Sequence, residues 1–399
     1  MSEAPINETP GDRVKMLRKR AALTQAQLGD LVGHTQTWVS QVEKGDIELD
    51  KVSTVNELAR ALRCHPREIL GTPEFGSAAK RGQHTADELV RQLRRLDLPP
   101  EADAHRPLPE LEAELTELVR LRGDALYAEL GVRTVALLSE LHAATVAPGL
   151  REREHAFRVL AHACKEVHSF GYGLGHPHLI ELATWRARWS AERSDDPALP
   201  ALADYMAARD AWTTADWGDA MLLVDRAIDT VARAGAHPER AASLTGALHL
   251  RAAITAARAN DGDGAYARLD EAEDQARLAG GADPYLNWFS AGNVGLHRVA
   301  VAVELGDGVE AVRRSKGLII PKGLPKSRIA HHYLDTARGF VWVNDVERGL
   351  AALERADSIA PQLVRNHPMA QATVRSLLRA ERRSTRERLR RMADRLQVR

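Results

Sequence analysis

TQAQLGDLVGHTQTWVSQVEKG, residues Thr24 to Gly45, reads as two short helices joined by a tight turn. Leu28, Leu31 and Val32 make one apolar face, and Val39 and Val42 make another three residues apart. Gly33 between them supplies the small, flexible residue that such a corner needs. Thr24 and Thr35 stand at the two helix starts, where a side-chain oxygen can cap free backbone N–H groups. The second helix then presents Gln36, Thr37, Ser40 and Gln41 outward. A solvent-facing helix normally carries charge; this one carries amides and hydroxyls. Amides pair bidentately with adenine in the major groove, and a Thr methyl meets the thymine methyl. The stretch is therefore expected to be a recognition helix and its support.

The segment Arg13 to Leu70 resembles the lambda-repressor-like (XRE-type) helix-turn-helix domain of bacterial regulators, a five-helix bundle. Its TQAQLG…V…T…VS.VE.G pattern is present almost entire. The resemblance implies that Gln25 and Thr35 hold phosphates while Gln36, Thr37 and Gln41 read base edges. It implies that Ser40 and Lys44 contact the backbone or groove rim, and that Arg18 and Glu43 form a buried ion pair. Trp38 departs from the pattern, standing where many members carry a small residue. It either packs against the preceding helix or meets a sugar or methyl group.

The 399 residues suffice for two or more hydrophobic cores, and 44% apolar with 5% aromatic content suits a helical protein rich in Ala and Leu. Formal net charge is zero, so double-stranded DNA has to be met by a local patch, expected in two copies as a homodimer. Cys64 and Cys164 are far apart and lack metal-ligand spacing; reduced thiols in a cytoplasmic protein are expected. The polar start MSEAPINETPGD is no signal peptide, and no apolar run approaches a membrane span.

Four regions are expected: a disordered arm (1–11), the helix-turn-helix domain (12–71), a linker with one short amphipathic helix at Ala86–Leu96 (72–107), and a helical region (108–399). Turn signals recur in the last region at Gly218-Asp219, Gly262-Asp263, Gly306-Asp307 and Asn344-Asp345, spaced 44, 44 and 38 residues. Breaks containing Pro follow several second helices. Helix, short turn, helix, break is the grammar of an alpha-solenoid. About six pairs are expected between Leu108 and Pro361, then a terminal helix or two. The repeats resemble tetratricopeptide repeats in degenerate form. The Arg-rich end, Arg375 to Arg399, carries an apolar stripe (Leu377, Leu378, Leu389, Met392, Leu396). It reads as a solvated cap, a dimer contact or a second DNA-backbone contact.

The architecture resembles large actinobacterial XRE regulators and the peptide-sensing quorum regulators of Gram-positive bacteria. In both, the resemblance implies, the solenoid dimerises and its concave side can hold a peptide, small-molecule or protein effector. Three helices carry polar residues at helical spacing suited to that face: Arg251 and Thr255; Asn293 and His297; Asp335 and Arg338. An Asn amide can bond a peptide backbone and Arg a carboxylate; ordinary exposed or inter-repeat residues are the other reading. Trp185 and Trp189, one turn apart, read as core. SFGYGLG (169–175) reads as a loop, since no Lys-Ser/Thr follows it. His176 with His178 and His331 with His332 lack a third ligand at metal spacing. No catalytic constellation and no cofactor fingerprint is evident. The expectation is an all-α protein, a five-helix lambda-repressor-like head plus a tetratricopeptide-like solenoid, acting as a DNA-binding transcriptional regulator and not an enzyme. The alternative is a protein-interaction adaptor or antitoxin-like module.

Overall fold

The computed structural model of the chain describes residues 9–71, 77–101, 104–381 and 383–398, and every regular element among them is helical. The head is built from α1 (Pro10–Arg20), α2 (Gln25–Leu31), α3 (Gln36–Lys44), α4 (Val52–Leu62) and α5 (Pro66–Leu70). Val14, Leu17, Leu28, Val39, Val42, Leu58 and Ile69 bury together as its core. Thr9 caps α1 and forms a reciprocal box with Asp12, so the helix starts at Pro10 rather than at Arg13. The remainder of the expected arm, residues 1–8, lies outside the described residues.

The stretch read as a linker is largely helix. α6 (Ser77–Arg95) is longer than the expected Ala86–Leu96, and its Ala86, Leu89 and Leu93 are fully buried. They join a core with α8 and α10, so α6 is a layer of the C-terminal body and not a spacer. Residues 72–76 and 102–103 of the expected linker lie outside the described residues.

Six helix pairs follow: α7 (Leu108–Gly123) with α8 (Tyr127–Ala144), α9 (Leu150–Leu174) with α10 (Pro177–Ala191), α11 (Pro200–Asp210) with α12 (Trp217–Arg233), α13 (Pro238–Arg258) with α14 (Gly262–Ala279), α15 (Ala291–Leu305) with α16 (Gly308–Gly317), and α17 (Lys326–Trp342) with α18 (Val346–Ile359). Three helices end the chain, α19 (Pro361–Asn366), α20 (Pro368–Arg379) and α21 (Arg386–Arg395).

The expected turn signals at Gly306-Asp307 and Asn344-Asp345 are corners, whereas Gly218-Asp219 and Gly262-Asp263 lie in the first turns of α12 and α14, the corners there falling at Ala215-Asp216 and Asn260-Asp261. The four corners share one device. A residue in the left-handed region (Ala215, Asn260, Gly306, Asn344) ends each first helix, and the next residue, an Asp, begins the second. Asp261, Asp307 and Asp345 accept hydrogen bonds from the N–H groups of Gly264 (2.9 Å), Glu310 (2.8 Å) and Arg348 (3.1 Å). Asp216 makes no such cap. Small residues then let the helices pack closely: Gly339 lies against Ala311, and a Cβ on Gly246 would strike the Phe289 ring.

First helices α11, α13, α15 and α17 pack on one another as an inner layer, with their partners outside. The layer curls until α7 meets α17. Lys326 pairs with Asp124 at 3.1 Å there, and the irregular segment before α15 is clamped by Arg122 on the Leu286 carbonyl (2.7 Å) and Lys165 on that of Tyr285 (2.6 Å). The inner faces therefore surround a lumen. Two expectations change. SFGYGLG is helical as far as Leu174, the chain turning only at Gly175 in the left-handed region, because Phe170 is buried and Tyr172 is anchored to Arg209 O. Trp185 is 70% exposed rather than core, while Trp189 packs edge-on to Phe157. At the C-terminus Leu389, Met392 and Leu396 bury against α18 and α20, and Arg388 pairs with Glu354, which makes α21 a cap.

Asp261→Ala, Asp307→Ala and Asp345→Ala are each expected to lower stability by about 1 kcal/mol, as for a lost N-cap. Asp216→Ala should cost clearly less. Urea-denaturation midpoints of the four variants check this ordering.

Candidate nucleic-acid interface

The recognition helix is held by four arrangements that the sequence dictates. Thr24 and Gln27 form a reciprocal capping box at α2, with Thr24 Oγ1 accepting from Gln27 N–H (3.1 Å) and Gln27 Oε1 from Thr24 N–H (2.8 Å). Thr35 Oγ1 accepts from Trp38 N–H at 3.2 Å and starts α3. The corner between them needs two glycines: Gly33 is left-handed, and a Cβ on Gly29 would lie 2.5 Å from the His34 carbonyl oxygen. Finally, Arg18 grips Glu43 through two bonds, Nε to Oε1 (2.5 Å) and Nη2 to Oε2 (3.0 Å), tying α1 to α3. Burial pushes the Glu43 carboxyl up, but Arg18 and the Gln25 amide (2.8 Å) outweigh it and hold its pKa below the ordinary value.

This frame leaves Gln36, Thr37, Gln41 and Lys44 exposed on α3, with Thr35 exposed at its cap and Ser40 half-buried. Gln25 is half-buried and engaged by Glu43. Trp38 is half-buried and stacks on His34, centroids 3.8 Å apart and planes within 10°. The sequence-predicted α3 residues thus share one helix surface, bearing amides, a hydroxyl and a cation.

The opposite side of the head is docked on the solenoid. Asn56 donates to Trp212 O (2.5 Å), Arg60 to Ala215 O (3.2 Å) and Lys51 to Leu305 O (3.3 Å). Those carbonyls sit where inner helices end, the negative pole of each helix. In the other direction Arg338 donates to Asp50 O (2.7 Å), Trp342 Nε1 to Asp50 Oδ2 (2.6 Å) and Arg375 to Glu48 (2.6 Å), with Arg379 on the same carboxylate. Sequence reasoning missed Glu48, Asp50 and Asn56. The signal was present: the acidic run GDIELD directly after the amide-bearing α3 suits a protein contact better than a phosphate.

The six residues offered for an effector separate into distinct settings. Arg338 and Asp335 lie at this dock, 3.3 Å apart, beside the buried Glu304–Arg258 pair (3.1 Å). Burial and the nearby Glu304 charge push Asp335 up to about 6 despite Arg338. Thr255 is buried, accepting from Trp212 Nε1 at 3.0 Å. Asn293 is buried too, its amide donating to Trp288 O (3.2 Å). Arg251 and His297 are half-buried on the inner layer. Burial pulls His297 down to about 3, so it is neutral there. No group of three or more potential metal-ligating side chains occurs among the described residues, and no described helix is long and apolar enough to cross a membrane.

Residues 11–70 match the family model described as "Helix-turn-helix domain". Comparison with curated proteins gives no match. Among solved structures, Bacillus thuringiensis PlcR in complex with the peptide PapR7 and DNA is similar at 15% identity, over 68% of this chain and 95% of its own, with a TM-score of 0.29. The head is thus similar to a helix-turn-helix domain over residues 11–70.

Arg18→Met leaves Glu43 buried without its cation and is expected to cost about 3 kcal/mol. Arg18→Met/Glu43→Leu should recover most of that loss. Because Glu43 titrates lower in the fold than its ordinary 4.5, its contribution is complete above that pH and vanishes as pH falls through the folded value. Thermal unfolding of wild type and double variant between pH 3 and 7 checks both points, the variant losing less on acidification.

Proposed function

We propose that the protein is a dimeric, sequence-specific transcriptional regulator whose solenoid adjusts the head in response to an effector. The observation that carries the reading is the exposed Gln36–Thr37–Gln41 surface on a helix braced by the buried Arg18–Glu43 pair. In the major groove Gln36 and Gln41 would pair with adenine edges, and Thr37 would meet a thymine methyl. Lys44 would sit on a phosphate beside them. One head covers a single half-site. Two heads, brought together by the solenoids, would read an inverted repeat with half-sites about 34 Å apart or a multiple of that. With zero net charge on the chain, the electrostatic part of affinity rests on the few cations of the head.

The regulatory half rests on the dock. Its hydrogen bonds are carbonyl, carboxylate, amide and guanidinium contacts that water can replace at modest cost. A head held this way can be re-aimed without unfolding either core. An effector that favours one head position over the other would shift the spacing of the two recognition helices, and so DNA affinity.

Gln36→Ala/Gln41→Ala is expected to remove sequence preference, costing about 2–6 kcal/mol on the cognate site while leaving non-specific binding in place. Lys44→Ala should weaken binding on all sequences and reduce the salt slope by about one. Genome-wide site enrichment with wild type and the double variant tests this: diffuse binding unchanged by the mutations would sink sequence reading. Separately, Glu48→Ala/Asp50→Ala should release the head, seen as a larger radius of gyration in small-angle scattering with the thermal midpoint of the solenoid unchanged.

A further inference from the structure

The inner layer holds three arginines that lack a counter-charge. Arg209 (α11), Arg251 (α13) and Arg328 (α17) are half-buried, and none has a carboxylate within ion-pair distance among the described residues. Arg18, Arg122, Arg258 and Arg338, by contrast, are paired with Glu43, Glu166, Glu304 and Asp335. Asp210, next to Arg209, is committed to His168 (2.8 Å), Tyr172 (3.3 Å) and Thr184 (2.6 Å).

The three guanidiniums lie instead on aromatic faces. Arg209 stacks on Tyr172 (3.7 Å) and Arg251 on Tyr205 (4.0 Å) and Trp212 (4.8 Å), while Arg328 lies 5.7 Å from the Trp288 ring. The Nε atoms of Arg251 and Arg328 are buried with no acceptor. Arg251 and Arg328 both reach Tyr205 of α11, one over its ring at 4.0 Å and the other through a side-chain hydrogen bond, and with Arg209 and Arg122 they lower its phenol against burial. Burial and the crowd of like charge pull Arg251 down to about 10. The histidines facing the same space, His297 and His331, are held neutral by burial and take up no ligand charge.

Like charges gathered in a protected space, with N–H donors left unmade, destabilise a fold unless something else satisfies them. Guanidinium forks match the oxygens of phosphate and carboxylate bidentately. We propose that the lumen binds a small molecule carrying at least two anionic oxygen groups, phosphates or carboxylates, through Arg209, Arg251 and Arg328. A single carboxylate, such as a peptide terminus, would leave two of the three cations unanswered. This deepens the effector reading above and rests on it for its regulatory meaning. Arg251 stacks on Trp212, and the Trp212 carbonyl accepts from Asn56 of the head, so the site is one side chain from the dock.

The test titrates the full chain with pyrophosphate and, separately, citrate at constant ionic strength against sodium chloride, following tryptophan fluorescence and the thermal midpoint. Saturable binding of at least one probe is expected, pyrophosphate alone indicating a phosphate ligand and citrate alone a polycarboxylate. Arg251→Gln and Arg328→Gln should each weaken it tenfold or more, and exposed Arg355→Gln should leave it unchanged. Without ligand, Arg251→Gln should melt at or above the wild-type midpoint, because a like charge is gone. No saturation by either probe in wild type overturns the proposal, as does undiminished binding in an Arg251→Gln/Arg328→Gln chain. A ligand-free Arg251→Gln chain that melts far below wild type also overturns it, since the arginine would then be structural. DNA binding measured on the same samples separates the two readings: intact DNA recognition with no anion response removes only the lumen site.

Discussion

Four successive corners of the solenoid, from α11–α12 to α17–α18, are a left-handed residue followed by an Asp, and the arrangement of the inner layer depends on that constraint. The left-handed residue stops the first helix in a single step, and the Asp carboxylate satisfies N–H groups at the start of the second. Repeating one corner fixes one angle between partners, so inner helices stack on inner helices. Two consequences follow. The C-terminal poles of those helices come to lie along one rim, and their polar faces turn toward one another across a lumen. The corner that lacks its cap, at Asp216, lies beside the head with its carboxylate 3.5 Å from Arg60, and the capped corner at Asp307 lies beside the head too, where Lys51 meets the Leu305 carbonyl.

The head uses that rim. Amide and cationic donors of α4 and the loop before it meet carbonyls at helix ends, and the acidic GDIELD loop meets arginines and an indole N–H of α17 and α20. No hydrogen bond of either set involves Gln36, Thr37, Ser40 or Gln41, while Lys44 lines the cleft beside Arg375 and Arg379. The domain is thus divided between an acidic loop that binds protein and a neutral, amide-bearing helix whose face remains open. Glu48 and Asp50, two of the acids beside that helix, are turned toward the solenoid and paired there.

The legibility of this structure in its sequence tracks the range of the interaction. Capping threonines and Gly33 act within four residues and were readable from spacing alone; of the four turn signals, Gly306-Asp307 and Asn344-Asp345 are corners, while the other two fall in first turns of α12 and α14. The Arg18–Glu43 pair spans 25 positions and came from family resemblance rather than from any local rule. What failed was the reading of what covers a face. Helical spacing shows that Leu89 and Leu93 share a side, yet not that α8 and α10 lie against it, and so a core helix resembled a linker. Trp185 and Trp189 share a side equally well, and only one meets Phe157. Thr255 and Asn293 fell on polar stripes but satisfy Trp212 and the segment at Trp288. Ring closure, α7 against α17, joins residues some 200 positions apart, and no periodicity encodes it.

Closure also bears on how a lumen and a head could communicate. A ligand shifts an equilibrium only by its difference in affinity for the two states. In the docked state the Trp212 ring is held on one side by Thr255 and on its faces by Arg251 and Arg258, while its carbonyl is held by Asn56. Arg258 in turn pairs with Glu304, which lies 3.7 Å from Arg338, and Arg338 donates to Asp50. Both routes from the inner layer to the head run through charged groups in a protected setting, where a change in charge nearby acts over several ångströms with little screening. A charge bound beside Arg251 would act first on Trp212, which it stacks on, and the Trp212 carbonyl is the acceptor for Asn56, one of the contacts that hold the head on the solenoid.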